Sequence, residues 1–348
     1  MRIVKYPMTA GILYSVLMLL ASCAGNTTDT PAEKKTITTD STPKPRWNDP
    51  QRGKIFSKEN YVQIPLTAYE NHIFGAVKSV TYNEYKVSDK GEKSLEDSGY
   101  NVYDKAGHLT DQNEYGKDGK AKWNCIYKYD NQNRATLWSI KVYGSKMNSE
   151  VTFKYDDKGR KIEQNEAAAK KEESRRLVYK YDDKGNKIEE EEYYGDKKAP
   201  WLTTYKYDRT GNQIEYAHKD ETGRILSKMT QVYDSLGNKA GGAYYTSDTV
   251  ISGKWVAKND NLGRMIEGVY FKKDGSLQSK RQIKYDEWDN ITEIISYKAD
   301  GSIDTAGWNA YVEYEYDSKG NAIKETGYKL KGGKKIMTDL AERKFEYY

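Results

Sequence analysis

Large and polar residues alternate along this chain in short runs, and the runs recur. Around residue 180 the order is Leu-Val-Tyr-Lys-Tyr, then Asp-Asp-Lys-Gly, then Asn-Lys-Ile-Glu-Glu. Alternation at period two is the pattern of a half-buried strand. Each run ends on a Tyr-Asp pair: Tyr103-Asp104, Tyr129-Asp130, Tyr155-Asp156, Tyr181-Asp182, Tyr207-Asp208 and Tyr233-Asp234, spaced by 26 residues. Asn259-Asp260 keeps the spacing without the Tyr, Tyr285-Asp286 restores it, and Tyr316-Asp317 follows after 31 residues. A fixed period of this length marks a repeat architecture in which each unit is completed by its neighbours. The pattern predicts an all-β fold of tandem antiparallel β-hairpins with a 26-residue period. It gives roughly eighteen strands in a long coiled meander sheet or a partly closed shell. Four-stranded propeller blades of two repeats each are the structural alternative.

The turn has its own signature. Asp stands at its start in all nine units, at 104, 130, 156, 182, 208, 234, 260, 286 and 317. Its carboxylate can accept the amide two residues on, as in an Asx turn. Gly follows three later at Gly107, Gly159, Gly185, Gly211, Gly237, Gly263 and Gly320, and supplies the positive φ that closes a hairpin loop. Asn133 and Asp289 replace it, and these residue types tolerate that conformation. A four-residue loop would set Tyr181 opposite Asn186 and Tyr179 opposite Ile188, apolar against apolar. The Lys before each Tyr (128, 154, 180, 206, 258, 284) would share the other face with Glu163, Glu189, Glu215, Glu267 and Glu293 as a solvated, sign-mixed surface.

Two stretches depart from the pattern. Ala167–Ser174 is helix-forming sequence where a turn belongs, and Pro200 falls at an expected between-unit turn. Residues 61–100 read as an N-terminal cap of the sheet, with a strand at Val77–Tyr82 and a turn at Ser88–Gly91. The repeat body is 101–348.

The N-terminus reads differently. Arg2 and Lys5 precede an apolar run from Met8 to Leu20, which is too short to span a bilayer comfortably. Residues 1–22 therefore read as a secretory signal, ending in Leu20-Ala21-Ser22-Cys23. That tetrad resembles the bacterial lipobox, and the resemblance implies lipidation at Cys23 after cleavage. Residues 23–60, rich in Thr, Lys, Asp and Pro, form a tether that cannot bury enough apolar surface to fold. Ala24 follows Cys23, so the Asp of an inner-membrane retention signal is absent. The expected location is the outer membrane of a Gram-negative bacterium, with the leaflet left open and the membrane as a partner through the lipid anchor.

Tandem Tyr-Asp-x-x-Gly-Asn, carried most fully by Tyr181–Asn186, Tyr207–Asn212 and Tyr233–Asn238, resembles the YD repeats of the Rhs and teneurin families over about residues 100–325. The resemblance implies β-hairpins coiled into a shell, which in Rhs proteins surrounds a C-terminal toxin.

Composition narrows the functions. The chain spends its aromatics as 32 Tyr against 5 Phe, and its mean hydropathy is -0.97, so thin half-wet layers are expected rather than a thick apolar core. Net charge is +5, too small for a nucleic-acid partner. Cys125 lacks a disulfide partner once Cys23 is lipidated, and reads as a buried apolar thiol. His72, His108 and His218 lack metal-ligand spacing, and one carboxylate per turn is a poor calcium cage, so no metal or other cofactor is expected. No nucleophile elbow, phosphate loop or zinc-protease motif occurs. Trp123 and Trp201 hold the same repeat place on the Tyr face, and Trp255 lies on that face too. Such a strip could stack sugar rings or receive a peptide, or simply cover the packed side of the sheet. The expected function is a non-enzymatic binding or scaffold module of the cell envelope for a protein or glycan. The alternatives are a glycan hydrolase and a shell-like relative of Rhs toxin carriers without the toxin.

Overall fold

The structure, a computed structural model, describes residues 73–348 apart from 146–147, 169–170, 308 and 332. The segments assigned to the signal, Cys23 and the tether lie outside the described residues. Twenty strands run in chain order: β1 (Val77–Val87), β2 (Lys93–Tyr103), β3 (Leu109–Gly116), β4 (Ala121–Tyr129), β5 (Ala135–Val142), β6 (Asn148–Tyr155), β7 (Lys161–Ala167), β8 (Arg175–Tyr181), β9 (Lys187–Tyr194) and β10 (Lys197–Tyr207). They continue with β11 (Gln213–Asp220), β12 (Ile225–Tyr233), β13 (Lys239–Tyr245), β14 (Ile251–Asn259), β15 (Met265–Lys272), β16 (Leu277–Tyr285), β17 (Ile291–Lys298), β18 (Ala310–Tyr316), β19 (Ala322–Lys331) and β20 (Lys334–Tyr347). Each strand pairs antiparallel with the next, and β1 also pairs with β20 from Val77↔Tyr347 to Lys86↔Asp339. The meander is thus a closed 20-stranded barrel, neither an open coil nor propeller blades, and closure removes both exposed edges.

All nine repeat turns, eight begun by Tyr-Asp and one by Asn259-Asp260, lie at one rim, and each is the same device. The Asp Oδ1 accepts the amides two and four residues on, at 2.8–3.0 Å in every copy. The seven Gly have φ of 79–89°, and Asn133 and Asp289 take 63° and 68° in their place. The Asp Oδ2 holds the side chain four residues on: Arg134, Arg160 and Arg264, or Asn186, Asn212, Asn238 and Asn321, or His108.

The register differs from the expected one. Tyr181 faces Lys187, Lys180 faces Glu189 and Tyr179 faces Glu190, with a bulge between Lys180 and Tyr181. The reason is that the Asp182 and Asn186 backbones close the turn themselves, with Asp182 N–H donating to Asn186 C=O at 2.9 Å and Gly185 N–H to Asp182 C=O at 3.0 Å. The loop is one residue tighter than expected, and the bulge absorbs the difference. Pro200 also sits elsewhere, inside β10, where the β9 pairing shifts register between Lys198 and Leu202. A bulge tolerates a residue that cannot donate to the ladder. Among the described residues of the Ala167–Ser174 stretch the helical element is one 3-10 turn at Lys171–Glu173.

The outer wall is a lattice of Lys and Glu. Lys154–Glu163, Lys180–Glu189, Lys206–Glu215 and Lys284–Glu293 pair directly across strands at 2.6–2.9 Å. A barrel embedded in lipid presents an apolar band outward; this wall is built for water. The inner wall is packed but half polar. Val77, Val80, Tyr103, Leu109, Cys125 and Tyr127 form one cluster, each no more than 4% exposed. Burial pushes the Cys125 thiol up to about 11, so it stays a neutral packing group. Further round, Lys161 lies over the rings of Phe153 and Tyr179, and Lys187 over those of Tyr179 and Tyr205. These cation–π contacts let a chain with few Phe cover its inner face with Tyr and Lys.

Candidate binding cleft at the irregular repeat

The Tyr of each Tyr-Asp pair joins one hairpin to the previous one. Tyr129, Tyr155, Tyr181, Tyr207, Tyr233 and Tyr285 each donate the hydroxyl to the backbone carbonyl twenty residues earlier, at 2.5–3.0 Å. That carbonyl always belongs to the first residue of the preceding return strand. Asn259, the one substitution, donates its Nδ2 to Lys239 C=O at 3.2 Å, so the bridge survives the loss of the ring. In three junctions an Arg also stacks on the Tyr: Arg134 on Tyr155, Arg160 on Tyr181 and Arg264 on Tyr285, 4.6–4.9 Å from the ring centre.

The 31-residue unit breaks this arrangement. The extra residues lie between β17 and β18, where Ile303 makes a bridge to Tyr297 and Asp304–Gly307 form a turn. β17 and β18 then pair at only two positions, Glu293↔Tyr311 and Ile294↔Ala310, against four or five at the junctions of the regular units. Tyr314, not Tyr316, reaches Ile291 C=O at 3.2 Å. Tyr316 donates instead to the Asp286 carboxylate, and Asn290 Nδ2 turns to the Tyr316 hydroxyl at 2.7 Å.

An open cleft of about 510 Å³ lies here, lined by Asp286, Trp288, Glu293, Tyr311, Glu313, Tyr314, Tyr316 and Lys335 among others. Trp288 forms one wall. Its ring lies 5.5 Å from Tyr316 and 6.0 Å from Phe74. The seat is possible because residue 320 is Gly: a Cβ there would come within 2.2 Å of the indole. The carboxylates are already engaged. Lys284 Nζ holds Glu293 at 2.8 Å, and Glu313 takes Lys335 at 2.9 Å and the Tyr328 hydroxyl at 2.8 Å. Those two bonds hold Glu313 below the usual carboxylate range. Burial, together with the Asp286 carboxylate, raises Tyr316, and burial raises Tyr314, so both phenols stay protonated donors. The lining offers flat rings, hydroxyl donors and fixed acceptors at a size suited to a small polar ligand.

The three Trp singled out from sequence lie elsewhere and apart, on β4, β10 and β14. Trp123 packs against the main inner cluster opposite Glu114. Trp201 donates Nε1 to Glu192 at 3.1 Å. Trp255 lies across Gly242, where a Cβ would stand 2.7 Å from its Nε1. The structure does not gather them into one strip. Trp288 escaped the sequence reading, although the five extra residues before Tyr316 flagged its neighbourhood.

No family model matches the chain, and no curated protein matches it. Among solved structures, a porin-like protein from Bacteroides uniformis is similar at 13% identity and a TM-score of 0.33, over 81% of this chain and 98% of that one. The TcdB2-TccC3 structure without its hypervariable C-terminal region is similar at 10% identity and a TM-score of 0.35, over 72% of this chain, which spans 15% of that one. A putative outer membrane lipoprotein-sorting protein domain from Vibrio parahaemolyticus is similar at 8% identity and a TM-score of 0.15, over 80% of this chain and 88% of that one. Likenesses at this level carry no conclusion about function.

Proposed function

We propose that the chain is an envelope lipoprotein whose barrel is a non-enzymatic glycan-binding module, held to the outer membrane through Cys23. The observation that carries the reading is the cleft at the irregular repeat. Trp288 offers a half-buried ring on which a sugar can stack, the largely buried Tyr311 lines the cleft beside it, and Glu293 and Glu313 are acceptors for sugar hydroxyls. Binding is favoured over hydrolysis because Glu293 and Glu313 are each tied to a lysine, and Lys335 with the Tyr328 hydroxyl holds Glu313 below the usual carboxylate range. The Lys–Glu outer wall fits a body held in water on a tether.

Two measurements test the reading. Oligosaccharide-array binding by the chain should fall at least tenfold in Tyr311→Ala and Trp288→Ala and stay unchanged in Trp201→Ala. Binding to no glycan would overturn it. Metabolic labelling with palmitate should mark the chain and fail in Cys23→Ala; an unlabelled chain would remove the anchor from the account.

A further inference from the structure

We infer that the outer wall over β12–β15 is a docking site for a short amphipathic segment of a partner protein, apolar on one face with a carboxylate at its edge. The Lys–Glu lattice is interrupted here. Val232 stands in the place that Lys128, Lys154, Lys180, Lys206, Lys258 and Lys284 hold in other repeats. It faces Gly241, which faces Val256, which faces Val269, so an uncharged row crosses four strands. Val232 is 59% and Val256 52% exposed. Both are among the most exposed large apolar side chains of the described residues. Contiguous exposed apolar surface marks interaction sites, where scattered single residues do not.

The relief of the patch is set by Gly241. A Cβ there would stand 2.8 Å from the Trp255 carbonyl oxygen, so the floor stays bare and the two valines rise as walls of a shallow groove. One row on, Lys254 faces Ala243 and Phe271, with no carboxylate directly opposite it; the one carboxylate on the two neighbouring strands, Glu267 of β15, faces Lys258. Lys254 is exposed and has no ion pair among the described residues. An ammonium set beside an apolar groove is complementary to an acidic group on whatever lies in the groove.

Size selects the occupant. Three strand spacings give a width of about 14 Å, and three to four residues along the strands give a length of about 10–13 Å. The patch is therefore about 140–180 Å², well under the roughly 800 Å² per partner of a stable protein–protein interface. A second copy of this chain would gain too little. A short amphipathic helix about 10 Å across matches it, with its apolar stripe in the groove and its acid on Lys254. The site shares no residue with the glycan cleft, and either reading can fail alone.

The test uses two labelled 15-residue amphipathic peptides with the same leucine stripe, one edged with Glu and its twin with Lys, titrated against the full chain by fluorescence anisotropy. The Glu peptide should bind and the Lys twin should not. Lys254→Glu should reverse that preference. Val232→Lys with Val256→Lys, which completes the outer lattice, should weaken binding at least tenfold with the thermal midpoint unchanged. Failure of the Glu peptide to bind would overturn the inference. So would equal binding of both peptides that ignores the substitutions, or a valine-dependent dimer in sedimentation.

Discussion

Seven junctions between hairpins are built alike, and the β17–β18 junction is not. At the seven, a side chain from one hairpin donates to the backbone twenty residues earlier, strands pair at four or five positions, and the turn Asp holds the residue four on. At β17–β18 the donor is displaced by two residues, pairing falls to two positions, and Asn290 leaves Asp286 for Tyr316. The repeat is a device for closing the gap between hairpins. A 31-residue spacing displaces the donor here and again at Tyr347, which donates to Asp317; β19 and β20 stay paired at eight positions, whereas at β17–β18 pairing falls to two and a cleft lined with rings and acceptors lies there. Regularity supplies the frame, and its interruption supplies the candidate site.

The comparison can be broken by substitution. The largest difference is expected at two turn glycines of similar φ, 84° and 89°, but unequal surroundings. Gly237→Ala meets nothing closer than 4.0 Å, so it carries only left-handed strain of about 1–2 kcal/mol. Gly320→Ala adds the eviction of the Trp288 ring and should cost about 3 kcal/mol or more by urea unfolding. Equal costs would mean that Trp288 is not seated as described.

pH should probe the strands around the barrel's closure. Glu84 on β1 lies opposite Asp97 on β2, and Glu114 on β3 and Glu325 on β19 add like charge against Arg343 on β20. Burial first, and then these carboxylates, push Glu84 from 4.5 up to about 7. A raised carboxyl favours the protonated folded state, so its contribution is present below pH 4.5 and lost as pH rises through 7. Glu84→Gln should flatten that loss, by on the order of 2–3 kcal/mol across the window. A wild-type slope kept in Glu84→Gln would place the titration elsewhere.

Smaller effects separate the two kinds of junction. Tyr181→Phe removes one bond to the Lys161 carbonyl and should cost about 1 kcal/mol. Tyr316→Phe should cost under about 0.5 kcal/mol, because Asn290 can then return to Asp286 as Asn186 does to Asp182. The smallest change is expected on the outer lattice. Lys180→Ala should shift stability by no more than about 0.5 kcal/mol despite its 2.8 Å pair with Glu189, since the pair is exposed.

The hairpin unit was legible in the sequence because its determinants are local. Asp182 and Gly185 sit within one turn, and their bonds can be deduced from spacing. The strand register was not, because the closing bond from Asp182 to Asn186 and the bulge beside Tyr181 leave no mark in the alternation. Closure of the ring was not legible either: β1 and β20 are 253 or more residues apart at Lys86–Asp339, and no local pattern encodes that pairing. Tyr181 read as a packing ring, yet its hydroxyl spans to Lys161, a bond that appears only once neighbouring hairpins are placed. The three Trp were chosen by their place in the repeat, whereas Trp288 sits inside a turn, at the x before Asp289. The five-residue excess was the better pointer, since it marks where the frame cannot repeat.

The measurement that bears most directly on the account is oligosaccharide titration of a chain lacking residues 303–307. The deletion restores the 26-residue spacing between Tyr285 and Tyr316, which sets Tyr316 twenty residues after Ile291. The shortened chain should keep or gain thermal stability, pair β17 with β18 over four or five positions, and lose the binding that the intact chain shows. Undiminished binding by a folded, shortened chain would contradict the claim that the interrupted repeat is the site.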